Sequence, residues 1–198
     1  MEGLNAQFMA NSDQFLRSHF VRFKTNSPLG SDKEGERVDD FDLSYAAPPA
    51  VGVELELFAS RGKAEGSYSK KIKAYWLPWF WNETTKLELD NNKAQFFFTS
   101  ELTGCRIQIA GDAAKPTVLH IAGNSGSTRK WRIKQAKEHL GPLYKESRRY
   151  SKGRDDGYSN VAFVCGYWDA NLQRWRILAQ ETTSEDGKLI LQGIRTLW

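Results

Sequence analysis

Cysteine and histidine are scarce in this 198-residue chain, which holds two of the first, Cys105 and Cys165, and three of the second. Two cysteines build no disulfide framework, so free thiols are the expected state. No Cys or His pair has ligand spacing, so a metal site is not expected, and no other cofactor is implied. Long apolar runs are missing as well. The longest apolar block, residues 74–81, contains Pro78 and is far too short to cross a bilayer. Residues 1–15 carry Glu2, Asn5, Gln7, Asn11 and Asp13 where a secretory leader needs an apolar stretch, so neither a leader nor a membrane partner is expected. Repeats and low-complexity tracts are lacking, which excludes solenoids and arrays.

What is present suits a globular protein: 40% hydrophobic and 26% charged residues. The length predicts one domain, residues 1–198. Seven Trp, seven Tyr and eleven Phe, several in strand-like runs, predict a fold rich in sheet. The net charge of +4 is mild but uneven. Residues 128–154 carry ten Lys and Arg against only Glu138 and Glu146, whereas residues 32–42 are acidic. That one-sided basic segment reads either as a docking face for an acidic partner or as a solvated helix surface.

Patterning predicts a helix entering a strand over residues 4–23, and a charged Gly/Ser/Pro loop over 26–36. Val51, Val53, Leu55 and Leu57 alternate with polar neighbours, as a half-buried strand does. Further strands are expected at residues 71–77, 95–99, 106–109 and 117–121, with residues 110–116 as a loop. A long helix is expected over 127–146, interrupted near Gly141-Pro142. Strands resume at 160–167, 174–180 and 188–194. The predicted fold is α+β: a β-rich sandwich of mixed sheets, with a helix at each end of the chemically interesting segment.

That segment is residues 96–120. Cys105 follows Gly104 at a strand exit, where a flexible glycine can present a thiol on a turn. His120 lies fifteen positions downstream on a strand that can return antiparallel. The spacing permits a nucleophile–base pair without requiring it; a buried structural cysteine and a hydrogen-bonded histidine are the other reading. Cys165, within an apolar strand, reads as a core residue. His139 reads as a surface residue, and His19 has no evident partner. Trp76, Trp79 and Trp81 read as walls of the core near the cleft.

Trp76-Leu77-Pro78-Trp79, Phe97-Phe98-Thr99, Leu102-Thr103-Gly104-Cys105 and Val118-Leu119-His120-Ile121 together resemble the Burkholderia lethal factor group. These are toxins among the cytotoxic-necrotizing-factor-like and chemoreceptor-type glutamine deamidases. The family motif is Leu-Ser-Gly-Cys followed by a His, with a Thr six residues before the Cys. Thr99 keeps that spacing here, while Thr103 stands in place of the family's Ser. The match covers about a quarter of the chain. The connection between Cys105 and His120 reads as longer than the family's, around residues 112–115, and as lying near the site.

The resemblance implies a protein-glutamine deamidase with Cys105 as nucleophile, His120 as base and Thr99 orienting it, through either its hydroxyl or its backbone carbonyl. Gly104 and Thr103 would form the turn and oxyanion region. It further implies a bacterial toxin or effector that reaches the host cytosol, with a host protein glutamine as substrate; translation initiation factor 4A is one candidate. Transglutamination would share the acyl-enzyme. A contrasting reading is a nucleic-acid binder using residues 128–154 with Trp131, Tyr144 and Tyr150, although no nucleic-acid motif supports it.

Overall fold

A computed structural model describes residues 3–23, 37–45, 54–59, 71–122, 128–153, 157–186 and 188–198. The chain opens with two short helices, α1 (Leu4–Ala10) and α2 (Ser12–Ser18). Asn11 ends the first and caps the second, its Oδ1 accepting the Gln14 N–H at 3.1 Å. Strands β1 (Phe20–Phe23), β2 (Val38–Tyr45), β3 (Glu54–Ala59), β4 (Ile72–Leu77), β5 (Thr84–Glu88) and β6 (Phe96–Thr99) follow. Next come the hairpin strands β7 (Arg106–Asp112) and β8 (Lys115–Ile121), helix α3 (Arg129–Leu140) and a 3-10 segment (Gly141–Glu146). Strands β9 (Arg148–Ser151), β10 (Val161–Asp169), β11 (Arg174–Glu185) and β12 (Lys188–Thr196) complete the order.

Eight strands form one sheet, β1-β3-β2-β4-β6-β10-β11-β12, and four form a second, β5-β8-β7-β9. The larger sheet is mixed: β6 runs parallel to β4 and antiparallel to β10. Side-chain alternation along the strands sets the layers. Phe98 of β6 packs with Phe8, Phe15, Trp76 and Cys165 on the face that carries α1 and α2. Phe97 faces the other way, into a core shared with Ile107 and Ile109 of β7, Val118 of β8 and Leu87 of β5. The outward residues of the small sheet, Ala110, Leu119 and Ile121, pack against Ala136 and Leu140 of α3. The order is helices, large sheet, small sheet, helix, which is the α+β sandwich the patterning predicts. Fully buried aromatics such as Trp175, Tyr75 and Phe97 fill it, each contributing about 1.5–3 kcal/mol through burial.

Several expectations need correcting. Residues 110–116 are not a loop: β7 and β8 extend through them to a two-residue turn at Ala113-Ala114. Asp112 closes that turn by accepting the Ala114 N–H at 2.8 Å, a local bond that competes with coil. The turn therefore lies at the far end of the hairpin from Cys105 and His120, not beside them. A helix does pack at each end of the 96–120 segment: Phe8 of α1 meets Phe96 and Phe98, and α3 covers β7 and β8. Strands β2, β5 and β9 carry no pattern that the reading of the sequence picked up. Residues 26–36, with Val51 and Val53, lie outside the described residues, and the strand expected there is described as Glu54–Ala59. Helix α3 stops where expected, with Gly141 at φ 54° and Pro142 next in the chain. Among the described residues no helix is long and apolar enough to cross a membrane.

Candidate active site

His120 pairs across the small sheet with Ile107 on one side and Thr85 on the other. Its neighbours two residues away, Val118 on β8 and Ala122 just past its end, belong to the core between the sheets, so alternation turns the imidazole inward too. There it meets Thr99, which ends β6 on the facing sheet: Nδ1 and the Thr99 Oγ1 are 2.8 Å apart. The same hydroxyl donates to the Leu77 carbonyl at 2.8 Å. A hydroxyl has one proton, and a carbonyl can only accept. Thr99 therefore accepts from Nδ1–H, so that a neutral ring carries its proton on Nδ1 and leaves the Nε2 lone pair free. Nε2 is fully buried without a hydrogen-bond partner. Burial holds this imidazole uncharged, pushing it down to about 3. The hydroxyl, not the backbone carbonyl, is thus what Thr99 offers His120.

Cys105 immediately precedes β7 and packs in the same inter-sheet core as Ile107, which places it on the His120 face. By register it is a diagonal neighbour of His120, a relation that spans roughly 7–8 Å between Cα atoms in a regular sheet. The thiol is 6% exposed, against 0% for Cys165. Burial pushes it up to about 11; a hydrogen bond from Trp79, the positive charge of Arg132 and a backbone hydrogen bond at Gly104 pull the other way. The resting pair is therefore a neutral thiol and a neutral imidazole.

The turn before Cys105 is anchored from three directions. Lys152 Nζ donates to the Thr103 carbonyl at 3.2 Å, Arg132 to the Gly104 carbonyl at 3.0 Å, and the buried Tyr158 hydroxyl to the Cys105 carbonyl at 2.9 Å. Leu102 and Ala162 exchange backbone hydrogen bonds just upstream. Thr103 and Gly104 themselves are exposed. One expectation fails here: Gly104 has no positive φ, and a Cβ built on it would meet nothing within 4 Å. The turn is held by its hydrogen bonds, not by glycine's conformational freedom.

The tryptophans also divide. Trp76 is buried, whereas Trp79 and Trp81 are 41% and 62% exposed and contact each other edge to face, so they line the surface and not the core. Trp79, Arg132 and Tyr158 bear on Cys105 from the exits of distant elements; the Trp-Leu-Pro-Trp run was the one signal for any of them. His19, with no partner evident from sequence, stacks on Phe15 with ring centroids 4.2 Å apart. His139 is half-buried on α3. Tyr150 is buried in the inter-sheet core and has no face to offer a nucleobase, which weakens the nucleic-acid reading.

Fold and site together define an α+β two-sheet protein in which an oriented imidazole and a nearly enclosed thiol share one end of the inter-sheet core. Among solved structures, the chain is similar to the C-terminal domain of CNFy from Yersinia pseudotuberculosis, with a TM-score of 0.48 and 13% identity over 98% of this chain and 96% of that one. No family model and no curated protein matches the sequence.

Proposed function

We propose that the protein is a cysteine hydrolase that deamidates a glutamine side chain on another protein, with Cys105 as nucleophile, His120 as base and Thr99 as the group that orients the base. The observation that carries this reading is the Leu77–Thr99–His120 hydrogen-bond chain. It leaves Nε2 as an acceptor on the side of the ring away from Thr99, within the core that Cys105 also faces. The motif residues Thr99, Thr103, Gly104, Cys105 and His120, which resemble those of the lethal-factor group, support it independently.

The steps follow from the protonation states. Neither group is charged at rest, so proton transfer from Sγ to Nε2 accompanies attack of sulfur on the amide carbon. The carbonyl π bond breaks and its oxygen takes the negative charge. In a trans peptide the N–H opposes the preceding carbonyl. Anchoring the Thr103 and Gly104 carbonyls by Lys152 and Arg132 thus directs the Gly104 and Cys105 N–H groups the other way, toward such an oxyanion. Donors of this kind contribute about 3–4 kcal/mol to catalysis. As the tetrahedral intermediate collapses, the C–N bond breaks, His120 returns the proton to nitrogen, and ammonia leaves a thioester. Water then gives a proton to Nε2 and its oxygen to the carbonyl carbon; the thiol is regenerated and glutamate is released. The near enclosure of Sγ favours water over a bulkier amine as second acceptor, hence deamidation over transglutamination.

A role as a bacterial toxin or effector, with a host translation factor such as initiation factor 4A as substrate, follows from the same resemblance. The test is incubation with a eukaryotic cell extract and peptide mass spectrometry for glutamine-to-glutamate conversion. One or more converted sites are expected with the parent protein and none with Cys105→Ser or His120→Ala. Equal conversion by the Cys105 variant would end the proposal.

A further inference from the structure

The Trp76-Leu77-Pro78-Trp79 run leaves β4 beside the candidate site, and two successive carbonyls fix its course. Leu77 accepts the Thr99 hydroxyl at 2.8 Å, and Pro78 accepts the Thr85 hydroxyl at 2.7 Å. Thr99 orients His120, and Thr85 stands directly opposite His120 in the small sheet. The run is thus pinned from both sheets by neighbours of the base. The next residue, Trp79, gives its indole N–H to the Cys105 sulfur. Cys105 is nearly enclosed, while Trp79 is exposed over 41% of its surface, so one side chain reaches from the thiol to solvent. Trp81 continues it edge to face, with ring centroids 6.2 Å apart. A group that touches the sulfur and also meets solvent borders a path between the two.

Indole joins a large apolar body to a single N–H donor. With that N–H directed at the sulfur, Trp79 offers an incoming molecule only its ring, and Trp81 adds a second. Exposed tryptophans in contact are the kind of anchor that carries much of the binding energy at protein interfaces. Resting on the deamidase reading, we infer that Trp79 and Trp81 wall the entrance to Sγ, Trp79 through an N–H held on the sulfur and both through exposed rings that take the target glutamine and an apolar side chain beside it. Continuity with the thiol favours the protein substrate as occupant over a second copy of this chain, which would close the entrance.

Two fluorescein-labelled decapeptides test this, identical but for two leucines or two serines flanking one glutamine. The Cys105→Ser protein is expected to bind the leucine peptide about tenfold more tightly, and an added Trp81→Ala to bring that preference below about twofold. Trp81 is 62% exposed, so its truncation should leave the fold intact. Leu172→Ala, which removes an exposed apolar side chain from the turn between β10 and β11, should keep the full preference. Trp79→Phe retains a ring and loses the N–H. It is expected to lower kcat for ammonia release about tenfold with KM within about twofold of the parent. In a Cys165→Ser background it should also raise, by about one unit, the pH at which iodoacetamide labelling of Cys105 levels off; a ring that only packs would not move that pH. An unchanged labelling profile overturns the N–H contact. Equal binding of both peptides by the starting protein overturns the wall, as does a concentration-dependent dimer that Trp81→Ala dissolves, which makes the rings a contact between copies. Ammonia release from the same peptides by the unsubstituted protein separates the two readings. A leucine preference in binding without ammonia removes the deamidase and leaves the wall standing, whereas ammonia at equal rates from both peptides does the reverse.

Discussion

The two cysteines lie in different layers of the same sandwich, and their surroundings differ in kind. Cys165 sits in β10 between Phe98 and Leu178, on the face packed by α1 and α2, fully buried. Burial alone pushes its thiol up to about 12, and no polar group opposes the shift. Cys105 is nearly as buried, yet Trp79, Arg132 and a backbone hydrogen bond all favour its thiolate against that burial. Enclosure therefore does not distinguish the two thiols, and on the proposed reading it is not what separates a nucleophile from a core residue. The presence of groups that stabilise the charge after it forms is, together with an acceptor for the proton.

Substituting each cysteine sharpens the contrast most. Cys105→Ser is expected to lower glutamine deamidation by about 10^3-fold or more, since a hydroxyl is a far weaker nucleophile and the base is unchanged. Cys165→Ser is expected to leave the rate intact and to lower stability by about 1–3 kcal/mol, because it buries a hydroxyl among phenyl rings. Ammonia release and urea unfolding measure the two. Loss of activity in both variants with folding retained in both would erase the distinction.

A second comparison separates what the strand positions reveal from what only packing reveals. The spacing permitted Cys105 and His120 to meet, since β7 and β8 return antiparallel, but only the family motif singled them out as a pair. The partner of His120 was legible only through the family motif, since Thr99 reaches it from the facing sheet, and whether by hydroxyl or carbonyl depended on the Leu77 contact. Trp79, Arg132 and Tyr158 meet Cys105 from the ends of three separate elements; no period in a sequence encodes that convergence. The supposed 110–116 loop was misread because Gly111, with φ 99°, and Pro116 are punctuation in most strands. Here those two residues face each other across the hairpin, and the Pro116 carbonyl is used by the Leu89 N–H.

Thr99→Val tests whether hydroxyl orientation matters apart from the thiol. It removes the acceptor for Nδ1–H, and the freed ring can take the tautomer whose Nε2 no longer accepts a proton. A rate loss of about 10–100-fold is expected, equivalent to one well-placed hydrogen bond in the transition state. Thr99→Ser should restore most of it, whereas a purely packing role would favour Val, which keeps the shape of Thr, over the smaller Ser. The readout is kcat against pH alongside thermal unfolding.

His120 also carries a stability signature that Cys165 cannot mimic. Its folded pKa is depressed from 6.5 to about 3, so the neutral ring stabilises the fold above pH 6.5. That contribution is lost as pH falls from there through about 3, at no more than about 1.4 kcal/mol per pH unit. The thiols have the opposite sign: raised pKa values make their contribution present below pH 9 and lost above it. Urea midpoints between pH 6.5 and 4 should therefore fall less steeply in His120→Asn than in the parent. Parallel curves would show that the imidazole is hydrated and titrates freely.

The smallest effect is expected at the residue the sequence made most conspicuous. Gly104 takes no positive φ, and a methyl group at its Cα meets no atom within 4 Å. If the turn is set by the Lys152, Arg132 and Tyr158 hydrogen bonds, Gly104→Ala should keep full activity and shift stability by less than about 0.5 kcal/mol. Lys152→Met, which frees the Thr103 carbonyl, should slow the reaction more than Gly104→Ala does, because it loosens the peptide plane that aims the Gly104 N–H. The reverse ranking in ammonia release would mean that the glycine itself is needed for substrate approach.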